Sequence, residues 1–206
     1  MTALSSRTIG LFGTCGDSTW RDPFMARYDS LGIPYFNPQV DNWTPELADV
    51  EAWHLANDVL VLFPITSETF AAGSLAETGF SALTAMRTNE NRFVMLFIDP
   101  TVAGTLVAQN PQAAEDSVRA RKLVTAHLKQ NPLPNVFVVE SLEQMLEQSI
   151  KLFAALELIN SVRSSDANWR AKLSPQTWLS LVTVAGISDI STADPDSVEC
   201  HLDLTS

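Results

Sequence analysis

The side chains best suited to chemistry gather around residues 57–82, NDVLVLFPITSETFAAGSLAETGFSA. Glu77 falls in the first turn of a helix expected to open at Gly73-Ser74 and run to about residue 87. Glu68 and Phe70 lie in the polar loop ahead of it. Two other loops carry similar residues: Gly13, Asp17 and Trp20 in GTCGDSTW, and Asn37, Asp41 and Trp43 in NPQVDNW. Carboxylates serve as acids, bases and nucleophiles, and a tryptophan in a polar loop can stack on a flat ligand. Each feature also has a plainer duty. Ser74-Leu75-Ala76-Glu77 is a capping box, which stabilises a helix without further function. Loop aspartates form turns, and most aromatics are core. Asp58 reads as a turn residue at the far end of its strand, and His54 as structural, on a helix with apolar neighbours. His127, among Arg119, Arg121, Lys122 and Lys129, reads as part of a solvated helical face. No His, Cys or carboxylate spacing suggests a metal.

The elements that must position these residues follow from the apolar pattern. Residues 59–63 (VLVLF), bounded by Pro64, read as a strand buried on both faces. Residues 8–12 give an earlier strand, followed by a glycine-containing loop and a helix from about 20 to 31. Residues 33–36 give a second strand. Thr44-Pro45 then supplies an N-cap and a proline at the first helical position, for a helix to about 57. Residues 92–98 form a fourth strand and 101–114 a loop, partly helical; 115–130 form a helix. Residues 135–139 form the fifth strand, and Ser141 opens a capped helix to roughly 161.

Strict alternation of this kind implies an α/β fold, a doubly wound (flavodoxin/Rossmann-like) five-stranded parallel sheet with helices on both faces. The expected order 2-1-3-4-5 puts the switch point between strands 1 and 3, so loops 13–19 and 67–77 share one crevice. The α/β domain is expected over 1–161. Residues 162–206 form a C-terminal extension with one helical segment near 178–187, packing on the domain or on a neighbouring subunit.

Composition narrows the classes. The chain has 206 residues, 46% apolar and 18% charged, as in a globular protein. Its net charge of -11 argues against nucleic-acid or anionic-membrane binding, though not against a small anionic ligand. Cys15 and Cys200 suggest no disulfide framework, and a reducing cytoplasm is expected. The start, MTALSSRTIG, lacks the pattern of a signal peptide, and no apolar run spans a bilayer. Gly13-x-x-Gly16 is not the dinucleotide fingerprint, and no glycine loop ends in Gly-Lys-Ser/Thr. Phe63-Pro64 stands where a phosphorylated receiver domain would carry a carboxylate.

Together, GTCGDSTWRD, YFNPQVDNWTPE and DVLVLFPITSETFAAGSLAETGFS resemble the nucleoside 2-deoxyribosyltransferase-like family, over roughly residues 9–149. The most specific part is Gly73 to Ser81, matching the family's small-x-x-Glu-x-Gly-aromatic-small pattern. The resemblance implies that Glu77 is the nucleophile. It implies a cofactor-free transfer of 2-deoxyribose between nucleobases in cytoplasmic salvage, by a homo-oligomer acting on nucleosides and nucleobases. Trp20, Trp43 or Phe70 would sandwich the base, and Asn37 and Asp41 would bind its edge or the sugar. Gly13, Glu68 and Ser74 would line the same pocket. Two positions depart from the pattern: Gly10 stands for a tyrosine of the first strand, and Ala71 for an aspartate before the glutamate. Asp17 or Glu68 would supply the missing acid. Two rival readings are an N-glycosidase of nucleoside 5′-monophosphates, its phosphate cradled by loop 13–19, and a nucleotide-binding module in which Glu77 only caps a helix.

Overall fold

The computed structural model describes residues 6–40, 44–73, 75, 93–130 and 136–165. Among them are five strands: β1 (Ser6–Leu11), β2 (Tyr35–Phe36), β3 (Asp58–Ile65), β4 (Phe93–Ile98) and β5 (Val136–Val139). The helices are α1 (Arg21–Leu31), α2 (Pro45–Asn57), α3 (Gly104–Gln109), α4 (Pro111–Gln130) and α5 (Leu142–Ser165). Every pairing is parallel, and the order is β2-β1-β3-β4-β5. This is the doubly wound α/β sheet that the alternating pattern implies. Right-handed crossovers in that order place α1 and α2 on opposite faces. Two compact units divide the chain, Met1–Met145 and Leu146–Ser206. The described part of the second is helical, residues 146–165. No helix among the described residues is long and apolar enough to cross a membrane.

All eight residues of β3 are buried, as a central strand covered on both faces requires. The strand continues through Pro64 rather than stopping before it. Pro64 lies beyond the last β1–β3 pair, Leu11 with Leu62, so its missing N–H breaks no rung on that side. Val61, Phe63 and Ile65 of β3 join Val94, Leu96 and Ile98 of β4, with Phe12 and Ala71, in one core. Leu55 of α2 and Val124 and Leu128 of α4 pack against it.

α4 begins at Pro111, earlier than its charged stretch suggests. Proline suits the first helical position, and Asn110 Oδ1 accepts the Ala113 N–H at 3.1 Å as a cap. The expected cap of α5 forms too: Ser141 Oγ accepts the Gln144 N–H at 3.0 Å. Gln144 Oε1 reaches back to the N–H of Glu140, at 2.7 Å. Residues 41–43, the expected helix over 73–87 beyond its first turn, and the segment 178–187 lie outside the described residues. Ala72, Gly73 and Leu75 are helical.

The turn leaving β1 depends on two left-handed glycines that differ in their surroundings. Gly13 has φ +95°, and a β carbon there would lie 2.4 Å from Pro64 O. Gly16 has φ +79°, with nothing within 4 Å of a β carbon. Gly16→Ala should therefore show backbone strain alone, about 1 kcal/mol. Gly13→Ala adds a clash with main chain and should cost about 3 kcal/mol. Urea unfolding of both variants tests this; equal losses would mean that Pro64 yields without penalty.

Candidate functional site

The switch point between β1 and β3 is closed by direct hydrogen bonds between the two loops. Thr14, 1% exposed, donates from its N–H to Pro64 O at 2.9 Å and from Oγ1 to the same oxygen at 3.2 Å. Its Oγ1 in turn accepts the Thr66 N–H at 3.0 Å. One threonine therefore joins the first loop to the carboxyl end of β3. Arg21, at the start of α1, reinforces the same corner from beneath. Its Nε donates to Leu11 O at 2.9 Å, and Nη1 to Thr14 O at 2.7 Å and to Gln39 Oε1 at 2.8 Å. Its Nη2 meets Cys15 Sγ at 3.5 Å. Gln39 Nε2 continues to Gly16 O at 2.8 Å, so the loop after β2 is tied in as well. Burial pushes the Arg21 guanidinium below its usual pKa, and Cys15 beside it acts in the opposite direction. The group stays charged, because arginine does not deprotonate in proteins.

The loop leaving β3 is held by a second buried arginine. Arg121 of α4 is fully buried. Nη1 donates to Ile65 O at 3.3 Å and Asp99 O at 2.9 Å. Nη2 donates to Thr66 O at 2.9 Å and Thr69 O at 2.8 Å. Nε meets Ser117 Oγ at 3.1 Å, and that hydroxyl donates to Phe70 O at 2.8 Å. All five N–H donors of a guanidinium are thus occupied. Arg121 is not on the solvated face that its charged neighbours suggest; Arg119, Lys122, His127 and Lys129 are exposed, and Arg121 is not. Burial lowers its pKa, with Asp99 opposing the shift. Its place was legible in the spacing: Ala114, Ser117, Arg121, Val124 and Leu128 fall on one helical stripe. Beyond the gripped loop, Ala71 has φ +55°, and its carbonyl accepts the Leu75 N–H at 2.8 Å as the next helix begins.

The structure brings Gly13, Asp17, Glu68 and Phe70 onto these two joined loops. Asp17 is exposed. Glu68 is exposed and accepts the Thr66 hydroxyl at 3.0 Å. Phe70 is half-buried. Asn37 is half-buried too; its Oδ1 accepts the Gln39 N–H at 3.0 Å. Trp20 is a correction. Expected at the rim, it is 4% exposed, packed edge-on against Phe24, with its indole N–H on Thr14 O at 2.9 Å. Asp41, Trp43, Ser74 and Glu77 lie outside the described residues. No group of three or more His, Cys, Asp or Glu that could hold a metal occurs among the described residues.

Comparison with known proteins adds no relative. No family model, curated protein or solved structure matches this chain.

Asp58 is a second correction, since it forms no turn. It is the first residue of β3, fully buried, with Oδ1 2.9 Å from His54 Nδ1. The His54 ring stacks on Phe36, with centroids 3.7 Å apart and planes 3° from parallel. A buried pair of this kind is costly to break from one side. His54→Ala and Asp58→Ala should each destabilise the fold by about 2–4 kcal/mol. The double variant should fall short of their sum by about 1 kcal/mol or more. Thermal melts of the four proteins test this; strict additivity would show that the contact contributes nothing.

Proposed function

We propose that this chain is a nucleoside 2-deoxyribosyltransferase, moving 2-deoxyribose between nucleobases through a covalent ester on Glu77. One observation carries the reading. The loops that the family resemblance requires to meet, after β1 and after β3, are joined at the carboxyl edge of the sheet through Thr14, Pro64 and Thr66. That edge, at a switch point, is where open α/β sheets bind ligands.

In this reading the Glu77 carboxylate attacks C1′ of a 2′-deoxynucleoside as the C1′–N bond breaks, through an oxocarbenium-like transition state. The bonding pair leaves with the base, which takes a proton from Asp17 or Glu68. A nitrogen of a second base then attacks C1′ and its proton passes to the same Asp17 or Glu68; the Glu77 carboxylate is released and the original configuration restored. Water in place of the second base makes the same site a hydrolase. A homo-oligomer working in cytoplasmic salvage belongs to the same reading.

One observation favours the monophosphate N-glycosidase as a second reading. Among the described residues, the backbone N–H groups of Gly16, Asp17, Ser18 and Thr19 enter no hydrogen bond. The Ser18 hydroxyl is buried and finds no partner among the described residues. Donors of this kind before a helix suit a phosphate.

The test is chromatographic: 2′-deoxyinosine or thymidine as donor, with and without adenine or cytosine as acceptor. Transfer yields a new deoxynucleoside only when acceptor is present. Glu77→Ala and Glu77→Gln should lower that rate by at least about a thousandfold, in protein that stays folded. Base released equally without acceptor, and faster from monophosphates, selects the second reading. An undiminished rate in either Glu77 variant removes both.

A further inference from the structure

The loop after β3 ends at the helical residues Ala72 and Gly73, a few positions before the proposed nucleophile in sequence, and its grip comes from a distant helix. Arg121 and Ser117 of α4 hold the carbonyls of Ile65, Thr66, Thr69 and Phe70. The same guanidinium takes Asp99 O at the end of β4. The last gripped carbonyl, Phe70 O, stands two residues before the first helical residue, Ala72. No other side chain among the described residues donates to these four carbonyls.

We propose that Arg121 is a positioning residue for the transfer reaction: with Ser117, it fixes the pose of the 66–71 loop, which carries Glu68 and Phe70 and leads in sequence to Glu77. The inference rests on the transferase reading.

The chemistry explains why the residue is an arginine. Five N–H donors in a planar fork can bind carbonyls from β3, β4 and the loop at once. Lysine has the charge but only three donors, on a compact head. A carboxylate nucleophile must meet C1′ within a few tenths of an ångström, and a misplacement of about 1 Å costs on the order of a hundredfold in rate. A loop of six residues without such a brace would leave the helix start free to shift by that much. Ala71 adds to the need: its φ of +55° is held against its own preference.

Three variants, Arg121→Lys, Arg121→Met and Ser117→Ala, separate positioning from bulk stability. Ser117→Ala deletes only the bond to Phe70 O and the support of Nε, so it stays folded if the arginine variants do not. Each is assayed for deoxyribosyl transfer at a temperature where circular dichroism shows full folding. The expected result is a fall in kcat of about 10- to 100-fold for Arg121→Lys, and of about fivefold for Ser117→Ala, with KM for the acceptor base within about twofold of wild type. Amide hydrogen exchange should quicken over residues 66–73 while β1 and α1 keep their protection. A kcat within twofold of wild type in folded Ser117→Ala and Arg121→Lys overturns the proposal. So does exchange that quickens uniformly across the domain, which marks a merely structural residue. Failure of the underlying reading looks different: the wild type itself then forms no new deoxynucleoside.

Discussion

A buried positive charge with no water to solvate it is the constraint around which this fold is arranged. Moving such an ion out of water costs several kcal/mol even after relaxation, unless its donors find acceptors. At the carboxyl edge of a parallel sheet the strands run out into loops, and the carbonyls there offer such acceptors. Arg121 meets that edge at β3 and β4, through Ile65 O and Asp99 O, and Arg21 meets it at β1, through Leu11 O. Each also takes carbonyls from the adjoining loop, Thr66 and Thr69 in one case and Thr14 in the other. The two guanidiniums therefore bond main-chain carbonyls on both sides of the switch point, Ile65 O also accepting the Asp99 N–H at 2.9 Å. Loops at the carboxyl edge of an α/β sheet are the usual place for binding residues, and they serve only if a rigid base holds them. Here the base is made of side chain bonded to main chain, beside the apolar packing of Phe12, Ile65 and Ala71.

How much of this the sequence discloses depends on the range of the interaction. The strands are legible because their physics is local: an unbroken apolar run such as 59–63 has no reading but burial on both faces. Strict alternation with helices then implies parallel pairing with right-handed crossovers; the order 2-1-3-4-5 is one of the common ones these rules allow. Boundaries are less legible. Pro64 reads as a stop, yet the strand runs through it: Pro64 pairs with Phe97 of β4, and its carbonyl accepts the Thr14 N–H on the other side. Arg121 and Trp20 are the instructive misreadings. Each was judged by its neighbours in sequence, charged around the one and polar around the other. Each is decided by partners far along the chain: Thr66 lies 55 residues from Arg121. The stripe formed by Ala114, Ser117, Arg121, Val124 and Leu128 was the available signal. It says that Arg121 faces inward, though not what it will find there.

The far end of the sheet clarifies one departure from the family pattern. Under the transfer reading, Gly10 stands where the resembled family carries a tyrosine. A β carbon on Gly10 would lie 2.6 Å from the Phe12 ring and 2.8 Å from Asp58 Oδ2. Such approaches are closer than van der Waals contact permits, so no larger residue fits without repacking. The space is taken by Asp58 and Phe12, and by the stack of His54 on Phe36 that the carboxylate holds in place. Gly10 is thus part of a local exchange, in which the Asp58 carboxylate with its His54 contact and an aromatic stack occupy the volume a first-strand tyrosine would need. Under the transfer reading, whatever orients Glu77 must come from another direction.

The second departure, Ala71, bears on the acid. Left-handed backbone at φ +55° suits glycine, asparagine and aspartate, and costs alanine about 1 kcal/mol or more. The loop thus keeps a conformation that an aspartate would fill readily, while the side chain present is a methyl buried at 7% exposure in the apolar core. A carboxylate there would have to enter that core, so under the transfer reading the acid stands elsewhere in the loops. Glu68 and Asp17 differ in how they are held. Glu68 Oε2 is bonded to the Thr66 hydroxyl, and the Thr66 N–H is bonded to Thr14 Oγ1, so this carboxylate is coupled to the joint between the loops. Among the described residues, nothing holds the side chain of Asp17 in this way. Proton transfer rewards a donor already oriented toward its target. By that criterion Glu68 fits the role better than Asp17, which matches residue type but lacks a fixed direction.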